Sequence, residues 1–266
     1  MPKNKKTNDE IQRIHLIGIA GLLMSSLACV AREFGYEVTG SDQDAYPPTT
    51  TILESHNIKW TNGFKTENLN SPDIVVLGNH IQQHNIELQS AIQKNVTKRL
   101  SSVISCLLFS KKYERIVPAG THGKSTITSM LGWVFLNSSY DPTILIGAVS
   151  KNIKSNFRIG KGSLLILEGD EYISSCFDRS PKILYYSPNY AIITSAELDH
   201  VDVYKTKEGP GFKFNKFCSS VKSDGLILLC SDSPEVNQIS LKDTTAKVET
   251  YGLIGNPDWE VSYIHF

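Results

Sequence analysis

Nine residues, Pro118-Ala119-Gly120-Thr121-His122-Gly123-Lys124-Ser125-Thr126, constrain this chain more than any others. They follow the run Tyr113-Glu114-Arg115-Ile116-Val117 and open a helical run over residues 127–136. A glycine-rich turn between a strand and a helix aims unpaired backbone N–H groups at one point, where the helix dipole adds partial positive charge. A polyphosphate fits that point. Lys124 reaches the β- and γ-phosphates, and the Ser125 hydroxyl is placed to hold Mg²⁺. Gly120 lies only three residues before Gly123, closer than in G-x-x-x-x-G-K-[ST]. With a strand before it and a helix after it, the loop still predicts an ATP site made of Gly120, Thr121, His122, Gly123, Lys124, Ser125 and Thr126.

The same strand-to-helix alternation runs through the chain. Residues 14–19 read as a buried strand and 22–34 as a helix with Leu23, Leu27 and Val30 on one face. A second strand over 36–40 ends in Ser41-Asp42, and Pro47-Pro48 breaks the chain before a helix over 49–56. A strand over 73–78 and a helix over 85–94 follow. The pattern restarts near 109–113, with strands over 115–117, 164–167, 191–194 and 225–229. The fold class is therefore α/β: a Rossmann-like N-terminal domain with a parallel sheet, expected over residues 11–112, then a P-loop ATPase domain from 113 to 266. Residues 259–266 alternate like a strand with no turn or cap after them, and the second domain is expected to be incomplete.

Charge and cysteine usage narrow the partners. Lysine plus arginine equals aspartate plus glutamate, at 27 each, so no long-range field recruits nucleic acid or an anionic membrane. Lys3, Lys5 and Lys6 read as a solvated tail. Cys29, Cys106, Cys176, Cys218 and Cys230 are odd in number, scattered and without C-x-x-C spacing, which argues for a reducing, cytoplasmic setting over disulfides or a zinc site. The basic start followed by apolar residues 14–31 imitates a leader. Asp9 and Glu10 in the would-be basic region, and glycines at dinucleotide-fold spacing, argue against one.

Three further constellations carry chemistry. Gly18 and Gly21 form a strand-to-helix turn without the third glycine of G-x-G-x-x-G, which leaves a plain turn and a nucleotide loop both open. Asp42, at the end of the second strand, adds an acceptor for a ribose hydroxyl. Glu168-Gly169-Asp170-Glu171-Tyr172 follows a strand directly, and carboxylates there suit Mg²⁺, a cation that prefers oxygen ligands. Glu197-Leu198-Asp199-His200-Val201-Asp202 also follows a strand, and His200 is a candidate metal ligand or phosphate partner. In a parallel sheet such strand ends lie along one edge and can converge on one site.

Read together, these motifs resemble the Mur ligase family of ATP-dependent ligases in bacterial cell-wall assembly. Residues 119–126 look like its ATP loop, and residues 168–172 and 197–204 resemble its two metal-site motifs. Gly40-Ser41-Asp42, Tyr46-Pro47-Pro48, Gly78-Asn79, and residues 177–182 leading to Tyr185-Tyr186-Ser187-Pro188 are most similar to one branch. That branch joins UDP-N-acetylmuramate to the L-alanyl-γ-D-glutamyl-meso-diaminopimelate peptide in murein recycling. The alternatives are the L-alanine-adding branch, a non-catalytic nucleotide-binding remnant, and an unrelated phosphotransferase.

The resemblance implies ATP and Mg²⁺ as cofactors, with UDP-N-acetylmuramate and a murein peptide as substrates. It implies catalytic roles for Lys124, His200 and Glu171. Ser125 would hold a first Mg²⁺, and a second falls to His200 and either Glu168 or Glu171. Gly18, Gly21, Asp42 and Asn79 would contact the UDP moiety. Ser25 and Ser26 stand where relatives carry glycines and are expected to crowd a diphosphate, and Gly209-Pro210-Gly211 interrupts a helix that relatives continue. Relatives are longer, so a C-terminal ligase domain, encoded separately as one reading has it, is expected to complete the site, and the 266 residues alone are expected to be inactive or to depend on that piece.

Overall fold

The computed structural model of the protein describes residues 13–101, 113–197 and 211–261. Its contacts divide into two units, Met1–Ser110 with Ile173–Ser180, and Lys111–Tyr172 with Pro181–Phe266.

In the first unit β1 (Arg13–Ile17), β2 (Glu37–Asp42), β3 (Lys59–Asn62), β4 (Ile74–Leu77) and β5 (Thr97–Leu100) form one sheet. Its order is β3-β2-β1-β4-β5 and every pairing is parallel. Helices α1 (Leu22–Glu33), α2 (Thr49–Ser55) and α3 (Ile86–Gln93) return the chain between strands. The order steps outward from β1 in both directions, so a crevice opens where the chain reverses, at the carboxyl ends of β1 and β4. The inner strands are apolar because both faces are covered: Leu16, Ile17, Val75, Val76 and Leu77 are buried. β1 stops two residues before its apolar run does. Gly18 turns to φ +85° and, with Ile19, donates its N–H to Ser41 O.

In the second unit β6 (Glu114–Ala119) leads into α4 (Lys124–Leu136), followed by β7 (Thr143–Ser150), β8 (Ser155–Arg158), β9 (Leu164–Leu167) and β10 (Tyr190–Ile193). Then come α5 (Gly211–Ser219), β11 (Leu226–Cys230), β12 (Lys247–Gly252) and β13 (Trp259–Glu260). The sheet order is β13-β12-β11-β10-β6-β9-β7-β8, and only the β7–β8 pair at one edge is antiparallel. Leu164, Leu165, Ile166 and Leu167 are all buried, as a central strand requires. α4 lies close on β7 through Gly132: a Cβ there would sit 3.0 Å from Ile144 Cδ1.

The structure adds strands that the sequence reading omits: β3, β5, β7, β8 and β12. β3, Lys-Trp-Thr-Asn, and β5, Thr-Lys-Arg-Leu, are the polar edges of their sheet and carry no apolar run. α5 begins at Gly211, and the rest of the interruption expected at Gly209-Pro210-Gly211 lies outside the described residues. Ile173–Ser180 belongs by its contacts to the first unit. There Cys176 packs against a cluster that includes Ile17, Leu77 and Leu88, and its carbonyl accepts from Gln83 Nε2 at 3.2 Å. Cys29, Cys176, Cys218 and Cys230 are free thiols. No helix among the described residues is long and apolar enough to cross a membrane.

Candidate functional site

The first unit holds a cavity of about 420 Å³ at the crevice, lined by Gly18, Gly21, Asp42, Tyr46, Asn79 and His80 among others. The turn that shapes it is fixed by backbone donors. Gly18 N reaches Ser41 O at 2.8 Å, Ala20 N reaches Asp42 Oδ2 at 2.7 Å, and Gly78 N reaches Ile17 O at 2.9 Å. Gly18 is required there, because a Cβ at φ +85° would also press on Ile81 Cδ1 at 3.2 Å. Asp42 Oδ1 accepts from Gln43 N at 2.8 Å, so both carboxylate oxygens brace the loop while the group still faces the cavity.

Ser25 and Ser26 do not crowd this site, contrary to expectation. Both side chains are buried and each Oγ donates to Leu22 O at 3.0 Å, which turns them into α1. Serine hydroxyls readily satisfy themselves on a carbonyl one turn back.

The second unit builds the phosphate loop between β6 and α4. Gly120, at φ +138°, lies so close to β10's end that a Cβ would meet Ser195 N and Ser195 O at 2.8 Å and overlap Thr194 Oγ1. Gly123, at φ +79°, is the left-handed residue that starts α4. Thr121 N donates to Ser195 O at 3.1 Å, Thr121 Oγ1 to Glu197 O at 3.1 Å, and His122 N to Ser195 Oγ at 2.8 Å. Two amides expected in the phosphate cradle are thus engaged by Ser195. The first-turn N–H groups of α4 have no partner within the helix and remain its anion-binding feature.

Lys124 folds back over the loop, its Nζ donating to Gly120 O at 2.6 Å and to Thr121 O at 2.9 Å. The two acidic-motif glutamates, open alternatives in the sequence, have different surroundings. Ser125 Oγ donates to Glu168 Oε1 at 3.0 Å, and Gly147 N donates to Glu168 Oε2 at 2.7 Å. Glu171, 5% exposed, faces cations instead: its Oε1 is 3.7 Å from Lys124 Nζ, and its Oε2 pairs with Lys213 of α5. Gly169 N donates to Pro118 O at 2.7 Å, tying the acidic motif to β6. Asp170 Oδ2 pairs with Lys182 Nζ at 2.6 Å.

His122 is exposed, its Nε2 3.3 Å from Glu197 Oε2, and Thr126 is exposed on α4. His200, with Asp199 and Asp202, lies outside the described residues. Among the described residues no three His, Cys, Asp or Glu side chains cluster as metal ligands. The Ser125 hydroxyl and the Glu168 carboxylate beside it are oxygen donors of the kind that suits Mg²⁺.

Sequence reasoning missed Gly147, Ser195 and Lys213. Gly147 carried a signal, a glycine inside an apolar strand, which marks close approach by another group. Here that group is Glu168, whose Oε1 would lie 2.7 Å from a Cβ.

Known proteins match both units. The pattern described as "Mur ligase family, catalytic domain" matches residues 13–108, and the one described as "Mur ligase middle domain" matches residues 119–266. The UDP-N-acetylmuramate--L-alanyl-gamma-D-glutamyl-meso-2,6-diaminoheptandioate ligase of Escherichia coli is 33% identical, over 88% of this chain and 50% of its own length. A UDP-N-acetylmuramate--L-alanine ligase of Dictyoglomus turgidum is 37% identical, over 95% of this chain and 52% of its own. The chain thus spans about half the length of the curated relatives it matches.

Among solved structures, the UDP-N-acetylmuramate:L-alanyl-gamma-D-glutamyl-meso-diaminopimelate ligase of Neisseria meningitidis superposes with a TM-score of 0.83. It is 28% identical, and the match covers 91% of this chain and 78% of that one. The UDP-N-acetylmuramate-alanine ligase of Thermotoga maritima gives 0.72 at 25% identity, covering 92% and 53%.

Proposed function

Because the chain belongs to the Mur ligase family, we propose that it carries the two nucleotide sites of an ATP-dependent amide-bond ligase. Its acyl substrate is UDP-N-acetylmuramate and its amino substrate the L-alanyl-γ-D-glutamyl-meso-diaminopimelate peptide, in cytoplasmic peptidoglycan recycling. The observation that carries this reading is Lys124 at the start of α4, with the Ser125–Glu168 pair at 3.0 Å beside it. The higher TM-score to the Neisseria meningitidis ligase, 0.83 against 0.72, supports the peptide-adding branch.

A carboxylate does not acylate an amine unaided. ATP therefore transfers its γ-phosphoryl group to the lactyl carboxylate, giving an acyl phosphate and ADP. The peptide amine attacks the acyl carbon, and phosphate leaves with its C–O bond while the amine loses a proton. The protein supplies alignment and charge neutralisation. Lys124 leaves its loop carbonyls to meet the transferring phosphoryl group, and Gly123 with the first-turn N–H groups of α4 holds the polyphosphate. Mg²⁺ would be held by Ser125 and Glu168, with His200 added on the family resemblance, and when bound it offsets phosphate charge. Glu171 orients Lys124 and Lys213. Gly18, Gly21, Asp42 and Asn79 border the cavity for the UDP moiety.

The test is ADP release with UDP-N-acetylmuramate and either the tripeptide or L-alanine as acceptor. Preference for the tripeptide supports the reading, and preference for L-alanine replaces it with the L-alanine-adding activity, which the 37% identity to the Dictyoglomus turgidum ligase favours. UDP-sugar binding with no ADP release under either acceptor would fit a nucleotide-binding remnant.

A further inference from the structure

One carboxylate buried beneath the first unit's cavity has no part in the chemistry above. Glu87 sits in the first turn of α3 and is 0% exposed. Such a group is tolerated only when its lone pairs are satisfied, and here four contacts converge on it. Lys65 N donates to Oε1 at 3.0 Å and Asn68 Nδ2 to Oε1 at 2.5 Å. Ser41 Oγ donates to Oε2, and His15 Nε2 of β1 stands 3.5 Å from the same oxygen. His15, 1% exposed, is held from its other side by Thr39 Oγ1 at 2.9 Å.

Two of these contacts, those of Ser41 and Asn68, lead to the loop. Ser41, which Glu87 grips by its side chain, accepts through its carbonyl the N–H groups of Gly18 at 2.8 Å and Ile19 at 3.1 Å. Asn68, which Glu87 also grips, donates to Gly63 O at 3.0 Å, and Gly63 N donates to Asp42 O at 2.7 Å. Glu87 therefore fixes the end of β2 by two routes, at the residues whose carbonyl and carboxylate hold Gly18, Ile19 and Ala20. Burial by itself would raise its pKa. The contacts from His15, Ser41, Lys65 N and Asn68 outweigh that and hold it below the usual carboxylate range, so it is ionised at neutral pH.

We propose that Glu87 is the positioning residue of the nucleotide-sugar cavity, setting the Gly18–Ala20 backbone through Ser41 and Asp42 without touching the ligand. The proposal that a UDP-sugar occupies the cavity rests on the function proposed above, whereas the effect on the loop does not. Lys65 N and Asn68 Nδ2 can only donate, so Glu87→Gln must keep its oxygen toward them and turn its N–H₂ to Ser41 Oγ, which removes the charge-assisted bond that carries the first route.

The test has two arms. Amide hydrogen exchange is read at Gly18, Ile19 and Ala20 in wild type, Glu87→Gln, Ser41→Ala and Asn85→Ala. Asn85 caps α3 by accepting from Glu87 N and Leu88 N, so its loss weakens the same helix but leaves the carboxylate's partners in place. Glu87→Gln should speed exchange at Gly18 and Ile19 at least tenfold beyond the Asn85→Ala effect. Ser41→Ala, which cuts one route, should shift them in the same direction by less. UDP-N-acetylmuramate binding should weaken at least tenfold in Glu87→Gln, with Mg-ATP binding unchanged.

Exchange at these amides no faster than in Asn85→Ala overturns the proposal. If Glu87→Gln does not fold, unchanged loop exchange in Ser41→Ala overturns it. Wild type that fails to bind the UDP-sugar defeats the functional reading instead, and the exchange arm still decides whether Glu87 sets the loop.

Discussion

Single side chains divide the work at the second unit's phosphate loop. Among the described residues, Lys124 Nζ contacts loop carbonyls and Glu171, so Lys124→Ala should leave the circular dichroism spectrum unchanged while weakening Mg-ATP binding more than tenfold. Glu168 shares the Ser125 hydroxyl, and Glu171 pairs with lysines. Glu168→Gln should therefore raise the Mg²⁺ concentration needed for half-maximal ATP binding several-fold, and Glu171→Gln should not. An equal Mg²⁺ shift in both would contradict the assignment. The first unit adds a pH dependence. Glu87 has a lowered folded pKa, so its stabilisation is full above the unfolded carboxylate value of about 4.3 and is lost as pH falls through the folded value. The stability gap between wild type and Glu87→Gln, from urea unfolding, should narrow as pH drops below about 4. A gap constant from pH 7 to pH 3 would contradict that. Burial pushes the thiols of Cys29 and Cys218 up to about 12, so both should resist alkylation at pH 8 until the chain unfolds.

At the level of elements, capping and close packing set the costs. Asn85→Ala removes the acceptor of two first-turn N–H groups of α3 and should cost about 1 kcal/mol in thermal or urea unfolding. Gly132→Leu must place a branched side chain where a Cβ is already 3.0 Å from Ile144, and should destabilise the second unit by about 1–3 kcal/mol. The same physics decided which elements were legible in the sequence. β9 was readable to the residue because a parallel strand covered on both faces must be continuously apolar, Leu-Leu-Ile-Leu. β3 and β5 were not, because edge strands carry polar residues, and β8 escaped as a short antiparallel edge. The true end of β1 was hidden by Ile19, which is buried though it lies past the turn at Gly18.

Across the whole molecule, the placement of the candidate loops was legible where they sit on strand ends and local spacing carries them. Gly120, Gly123, Lys124 and Ser125 announce their loop, and Gly18, Asp42 and Asn79 do line one cavity. The supports were not legible, because they come from far along the chain: Ser195 bracing Thr121 and His122, Lys213 facing Glu171, and Glu87 reaching Ser41 across 46 positions. Sequence patterns report what a residue does for its neighbours in the chain, and these residues act on neighbours in space. The proposed function gives each unit its own nucleotide, so calorimetric titration with UDP-N-acetylmuramate, and separately with Mg-ATP, is its most direct test. One saturable site for each ligand is predicted, with Lys124→Ala losing only the ATP site. No saturable heat from UDP-N-acetylmuramate, or ATP binding that survives Lys124→Ala undiminished, would contradict it.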